Sequence, residues 1–278
     1  MKKIKFLLID FVRNLKWKKQ YFKVKKKYEL NEKILSNNTI IAGKVLIIVP
    51  HADDELIGCF NFIKNYKSKA DITLFFCNLT GSNNNLNNKL NRELEFQNFC
   101  KTYQIKNIIN TEEDVYVGLK HVLMNNKFNF FFITPLIDWH FEHREVNYIL
   151  YDILNESYSK EDLKVKNIVF YQISVPLNYN CVNFILGMNK EVVKEKWSAF
   201  SKFYPSQANL PKRRFIYQER LNALKCKDYF FAAESFQFLT FDSWCSFVED
   251  IRFRQNFKFN ASTINDLFLI RESVKNYK

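Results

Sequence analysis

Four short apolar runs limit what this 278-residue chain can fold into. Lys44-Val-Leu-Ile-Ile-Val49 has no polar side chain after its first residue, is rich in β-branched residues and is too short for a buried helix. Asp71-Ile-Thr-Leu-Phe-Phe-Cys77, Phe128-Asn-Phe-Phe-Phe-Ile133 and Asn167-Ile-Val-Phe-Tyr171 repeat the type. A strand with one wet face alternates polar and apolar residues, whereas a nearly unbroken apolar strand is covered on both faces. Helical stretches separate the runs at 54–67, 88–104 and 142–157, and two more are expected at 187–203 and 215–233. This alternation predicts an α/β fold with a mostly parallel sheet between helical layers. In such sheets ligands gather outside the carboxyl ends of the strands. The Asn-rich stretch from Ser82 to Asn88 is then a loop at that edge. The patches Phe238-Leu-Thr-Phe241 and Leu267-Phe-Leu-Ile270 of the tail find no place in this scheme.

Charge is uneven. Residues 1 to 28 carry eleven Lys or Arg against Asp10 alone, a net of +10, which leaves only +3 of the chain's +13 for everything that follows. Within this arm Ile4, Leu7, Leu8, Phe11, Val12 and Leu15 recur at helical spacing, with Trp17 close behind. A basic helix of this kind either lies in the interface of an anionic membrane or docks on the protein's own core with its lysines in water. Nucleic acid is not expected as a partner, because no reading motif accompanies the charge. No apolar stretch reaches the length of a membrane span. The basic N-terminus lacks a clean secretory pattern, since Asp10 interrupts its apolar stretch. Six cysteines form no CxxC pair, and Cys59, Cys77 and Cys100 lie in or beside apolar runs, the pattern of buried reduced thiols. The expectation is a cytoplasmic protein, peripheral at most to the inner face of a membrane.

Chemistry concentrates where the first strand ends, in Val49-Pro50-His51-Ala52-Asp53-Asp54-Glu55. One aspartate there would cap the helix that follows, but capping accounts for neither the histidine nor the second carboxylate. A second cluster, Asp138-Trp-His140-Phe-Glu-His143, follows the strand at 128–133, so both clusters should face one crevice. Of four histidines, only His121 lies outside them. His and Asp donors with a position left open for water have the composition of a catalytic zinc site, although another divalent ion would meet the same donors.

Pro50-His51-Ala52-Asp53-Asp54-Glu55 resembles the signature of the PIG-L, or LmbE-like, family of zinc-dependent N-acetylglucosamine deacetylases, and Asp138-x-His140-x-x-His143 resembles its second motif. Weaker echoes are Thr80-Gly81, Arg92-x-x-Glu95, Tyr171-Gln172, Tyr204-x-Ser206-Gln207 and Ala233-Glu234-x-Phe236. The resemblance implies a Rossmann-like three-layer sandwich over residues 40–236; it leaves uncovered 1–39, a basic helical extension, and 237–278, a tail of unknown role expected to pack on the domain. It implies that His51, Asp54 and His143 hold Zn²⁺, that Asp53 is the general base, and that His140 stabilises the oxyanion. Asp138 or Glu142 would supply the carboxylate beside His140, and Arg92 would contact substrate or else pair with Glu93 or Glu95. The substrate implied is an N-acetylated amino sugar in a sugar nucleotide, glycolipid or glycan precursor. An inactive, sugar- or partner-binding relative is the alternative. Three departures stand out: Phe141-Glu142 replaces Pro-Asp, Gln172 replaces Glu, and the family pattern has no use for the basic arm.

Overall fold

The computed structural model describes residues 2–28, 33–34, 36, 41–79, 86–159, 166–254 and 261–275, and the side chains of 2–10, 28, 86, 253–254 and 261–262 lie outside that description. The expected strands form with small changes of boundary: β1 (Gly43–Val49), β2 (Ala70–Phe76), β4 (Phe130–Ile133) and β5 (Asn167–Tyr171). Between them run α2 (Asp54–Tyr66), α3 (Leu86–Tyr103) and α5 (Phe141–Ser157). A short β3 (Lys106–Ile109) and α4 (Val115–Asn125) complete the first half. The sheet has seven strands in the order β3-β2-β1-β4-β5-β7-β6, with parallel pairing from β3 through to β5.

Two expected helices are corrected. The segment 187–203 begins as strand β6 (Phe184–Met188) and becomes α6 only at Lys190–Phe203. The segment 215–233 is α7 (Lys212–Asn222), and its last residues enter β7 (Ala232–Thr240). Ala232-Ala-Glu-Ser reads as helix by propensity, but pairing with β5 on one side and β6 on the other gives its backbone a full set of partners as strand. β7 thus runs through residue 236, where the sequence pattern placed a boundary. The tail continues as α8 (Phe241–Arg254), α9 (Ala261–Ile264) and α10 (Leu267–Val274). The Trp244 indole of α8 is fully buried and donates to Asn147 on α5.

Alternate residues of β1 serve two cores. Val45, Ile47 and Val49 face α2, α3 and α6, whereas Leu46 and Ile48 face α4, α5 and α8. These are the outer layers of a three-layer α/β sandwich, the Rossmann-like class expected. On α2, Gly58 lets the helix press against the sheet: a Cβ there would stand 2.3 Å from the Tyr171 ring. The Tyr171 hydroxyl in turn donates to the Ile48 carbonyl at 2.6 Å. Cys59, Cys77, Cys100 and Cys226 are buried, and burial raises the pKa of each thiol.

α1 (Lys2–Tyr28) packs on α7 and α10. Trp17, Tyr21 and Val24 are buried against Tyr179, Leu221 and Leu267. The Trp17 indole donates to the Asn265 carbonyl at 3.1 Å, and the Gln20 amide pairs with Asp266. The docked face therefore lies on a different side of α1 from Phe11, Val12 and Leu15, which are exposed, and the side chains of Ile4, Leu7 and Leu8 lie outside the described residues. No described helix is long and apolar enough to cross a membrane.

Candidate active site

The strand order reverses on either side of β1, whose neighbours are β2 and β4. Such a switch point opens a crevice at the carboxyl edge, and the two motif segments flank it. His51 lies in the turn after β1, its N–H donating to Asp54 Oδ2 at 2.9 Å while the Asp54 N–H returns to the His51 carbonyl at 3.2 Å. Asp53 occupies the N-cap position of α2, yet its side chain makes no capping bond. Its φ of 123° is left-handed backbone that an L-residue enters at a cost. Capping therefore does not explain this carboxylate.

After β4, His140 is the N-cap residue of α5 and His143 lies in its first turn. Thr134 Oγ1 and Asn147 Nδ2 both donate to the His143 carbonyl, which fixes that turn against the strand end. The ring nitrogens His51 Nδ1 and His143 Nε2 approach to 3.0 Å. Both lie close to Asp54 Oδ2, at 3.3 and 3.2 Å. Three donors held around one point at such spacings match a tetrahedral site, whose ligand atoms ~2.0–2.2 Å from an ion stand ~3.3 Å apart.

Each of these imidazoles is also held from behind. His51 Nε2 meets Glu142 Oε2 at 2.7 Å, and His143 Nδ1 faces Asp138 Oδ1 at 3.3 Å. Carboxylates behind ligand histidines orient the ring and raise its basicity. Electrostatics agree: burial opposes a charged His143, but Asp54 and Asp138 hold its pKa well above the usual imidazole range. Burial likewise disfavours the Asp54 carboxylate, but His143 and His51 outweigh it and hold its pKa below the usual range. The pull that keeps protons on these imidazoles is the pull a cation would feel, so the donor set fits a divalent ion. A second grouping, His51, His140 and Glu142, shares the same neighbourhood.

Asp53 is nearly buried beside this cluster, and burial, then the Asp54 charge, push its carboxyl up to about 7. Arg92 comes within 3.9 Å of it and donates to the Ala52 carbonyl at 2.5 Å. Arg92 is not paired with its helix neighbours: Glu93 accepts from Asn78, and Glu95 accepts the backbone and hydroxyl of Ser206. The Gln207 amide, with its oxygen turned inward, faces the Arg92 guanidinium. His140 lines the cleft with its ring about one-third exposed, 3.7 Å from Glu142 through Nδ1. Burial and then the charges of His143 and His51 lower its pKa, so its surroundings disfavour the charged form. The sequence left Asp138 and Glu142 equivalent as its partner; Asp138 Oδ1 instead accepts the His140 backbone N–H at 2.9 Å.

All seven candidate residues except Asp138 line a cleft of about 290 Å³; Asp138 sits behind His143. Trp139, Ser174, Leu210 and Phe215 also line it and were not singled out by sequence. Only Trp139 carried a signal, as a large aromatic inside a motif of ligands. Of the weaker echoes, Arg92 and Gln207 line the cleft, and several others are supports. Tyr204 donates to the buried Glu55, and Glu234 accepts the backbone N–H groups of Asn61 and Phe62 while pairing with Lys196. Gln172 accepts from Leu177 and Ser235 and does not line the cleft. Thr80 and Gly81, like Ser82 to Asn85 of the Asn-rich loop, lie outside the described residues.

No family model matches the chain, and no curated protein matches it. Solved structures do. N,N'-diacetylchitobiose deacetylase from Pyrococcus horikoshii superposes with a TM-score of 0.57 at 17% identity, over 78% of this chain and 90% of that one. A deacetylase of the teicoplanin biosynthetic pathway gives 0.53 at 11% identity, over 70% and 98%. GalB, the 4-carboxy-2-hydroxymuconate hydratase from Pseudomonas putida, gives 0.52 at 12% identity, over 71% and 96%. The structural neighbours thus include deacetylases of the LmbE/PIG-L type, and the fold is shared with them. The hydratase on the same fold means that the reaction has to be read from the site.

Proposed function

We propose that the protein is a metal-dependent N-deacetylase acting on an N-acetylated amino sugar of the N-acetylglucosamine type, its catalytic domain beginning near residue 40 and running through the end of β7. The observation that carries this reading is the convergence of His51, Asp54 and His143 on one point beside an uncapped Asp53. A divalent ion held by these three, zinc by its donor chemistry, would supply Lewis acidity, polarising the amide carbonyl and lowering the pKa of water. Asp53 is placed to take a proton from the attacking water and pass it to the leaving amine. His140 donates a hydrogen bond to the oxygen that gains charge as the carbonyl is attacked. Arg92, braced by Gln207 and the Ala52 carbonyl, offers guanidinium N–H groups to a sugar hydroxyl or a phosphate. Trp139 offers a flat face for a sugar ring at the cleft mouth. The teicoplanin and chitobiose enzymes lend support as deacetylases built on this fold.

The test is acetate release from a panel of N-acetylated amino sugars, free, nucleotide-linked and lipid-linked, by zinc-loaded protein. Release that disappears on chelation and returns with metal supports the reading. A chain that binds zinc and releases no acetate from any of them overturns it in favour of a binding protein.

A further inference from the structure

α1 uses one side to dock and leaves another side unpartnered among the described residues. Its buried face is Trp17, Gln20, Tyr21 and Val24. At ~100° per residue, Phe11, Leu15 and Phe22 fall within about 40° of one another on a different side of the helix. They are 59, 49 and 56% exposed, and Val12 at the edge of the stripe is 58% exposed. The exposed Lys18 flanks the stripe on one side, and the exposed Lys19 and Lys26 flank it on the other. The helix carries eleven cationic residues and a single acidic one, Asp10.

We infer that this outward face of α1 is a docking surface for an anionic lipid bilayer, with the helix lying in the headgroup plane and its inner face holding the protein. An apolar stripe bordered by lysines inserts its rings and leucine at the acyl boundary while the ammonium groups meet lipid phosphates. Each lysine near an anionic surface adds to the attraction, and salt weakens it. Charge argues against a second copy as the occupant, because pairing two such faces would bring lysines against lysines with no acidic residue between. α1 rests on α7, and Phe215 of α7 lines the cleft. Docking would therefore place the lipid surface behind one wall of the site. This inference goes beyond the deacetylase reading and does not depend on it.

The experiment is flotation of the full chain with vesicles of phosphatidylcholine alone, or with one-third phosphatidylglycerol. Wild type should float with the anionic vesicles at low salt, and not with phosphatidylcholine or at high salt. Replacing Phe11, Leu15 and Phe22 by serine should weaken partitioning on the order of tenfold or more. Replacing Lys18, Lys19 and Lys26 by glutamine should do likewise while reducing the salt dependence. All six side chains face water, so an unchanged melting temperature is expected in both variants. Absence of wild-type flotation with anionic vesicles overturns the inference. So does undiminished flotation of the serine variant, or a concentration-dependent dimer that the serine changes abolish while vesicles go unbound. No outcome involves turnover, so failure here is distinguishable from failure of the deacetylase reading.

Discussion

The turn after β1 and the turn after β4 hold equivalent places at the carboxyl edge of the sheet, and physically they are opposites. The first buries its carboxylates: Asp53, Asp54 and Glu55 are all buried, and the backbone at Asp53 is held at positive φ. The second is split. Asp138, Glu142 and His143 are buried, whereas Trp139 and Phe141 stand about half exposed on either side of His140. A closed turn fixes charges at one spacing, since buried carboxylates cannot rearrange without losing their partners. An open turn presents groups to a ligand arriving from solvent. Under the proposed deacetylase reading, the β1 turn would handle the ion and the proton, and the β4 turn the acyl oxygen and the carrier sugar, with His143 reaching across.

The largest effect should come from breaking the closed side. Asp54→Ala removes the acceptor that both imidazoles share, and is expected to take bound zinc from about one per chain to near none. Mass spectrometry of the purified variant against wild type reads this directly, and a retained ion would remove Asp54 from the ligand set. Asp53→Asn should keep the ion yet cost ~10²–10⁴ in turnover. On the open side, His140→Ala should also keep the ion and cost ~10²–10³, by loss of one oxyanion donor. Turnover of Asp53→Asn close to wild type would dismiss it as the base.

Smaller effects should appear where the two turns support each other. Glu142→Gln and Asp138→Asn leave all three ligand atoms in place but weaken the groups behind His51 and His143. Each is expected to weaken zinc affinity about 10–100-fold, measured by competition with a chelator. If Glu142→Gln changes turnover but not affinity, its main contact is with His140, 3.7 Å away, rather than with His51.

The same contrast separates what was legible in the sequence from what was not. β1 and β4 could be read because strands covered on both faces are apolar throughout, and their ends could be read because polar residues in such places need a reason. β3 could not: Lys106-Asn-Ile-Ile is four residues at the sheet edge, none of them buried. β6 and β7 were hidden because their pairing is long-range, and Ala232-Ala-Glu-Ser follows its neighbours rather than its propensity. The candidate ligand residues could be proposed from type and spacing. Their supports could not, since the reach of Glu142 to His51 depends on how α5 is set against β1. On α1, periodicity found the helix, and only packing distinguished the side that docks from the side that faces out.

Trp139 gives the smallest effect and the sharpest test of the open turn. Its ring lies at an edge-on 71° to His140, with centroids 4.9 Å apart, and almost half of it is accessible at the cleft mouth. Stacking of a sugar on that face would act equally before and during the reaction. Uniform binding of this kind lowers KM without raising kcat. Trp139→Ala should therefore raise KM about 3–10-fold, the equivalent of losing one aromatic contact of ~1 kcal/mol, and leave kcat within about twofold. A fall in kcat with KM unchanged would mean that the indole positions His140 rather than the sugar. The division between the turns would then move by one residue, with Trp139 joining the machinery that meets the acyl oxygen.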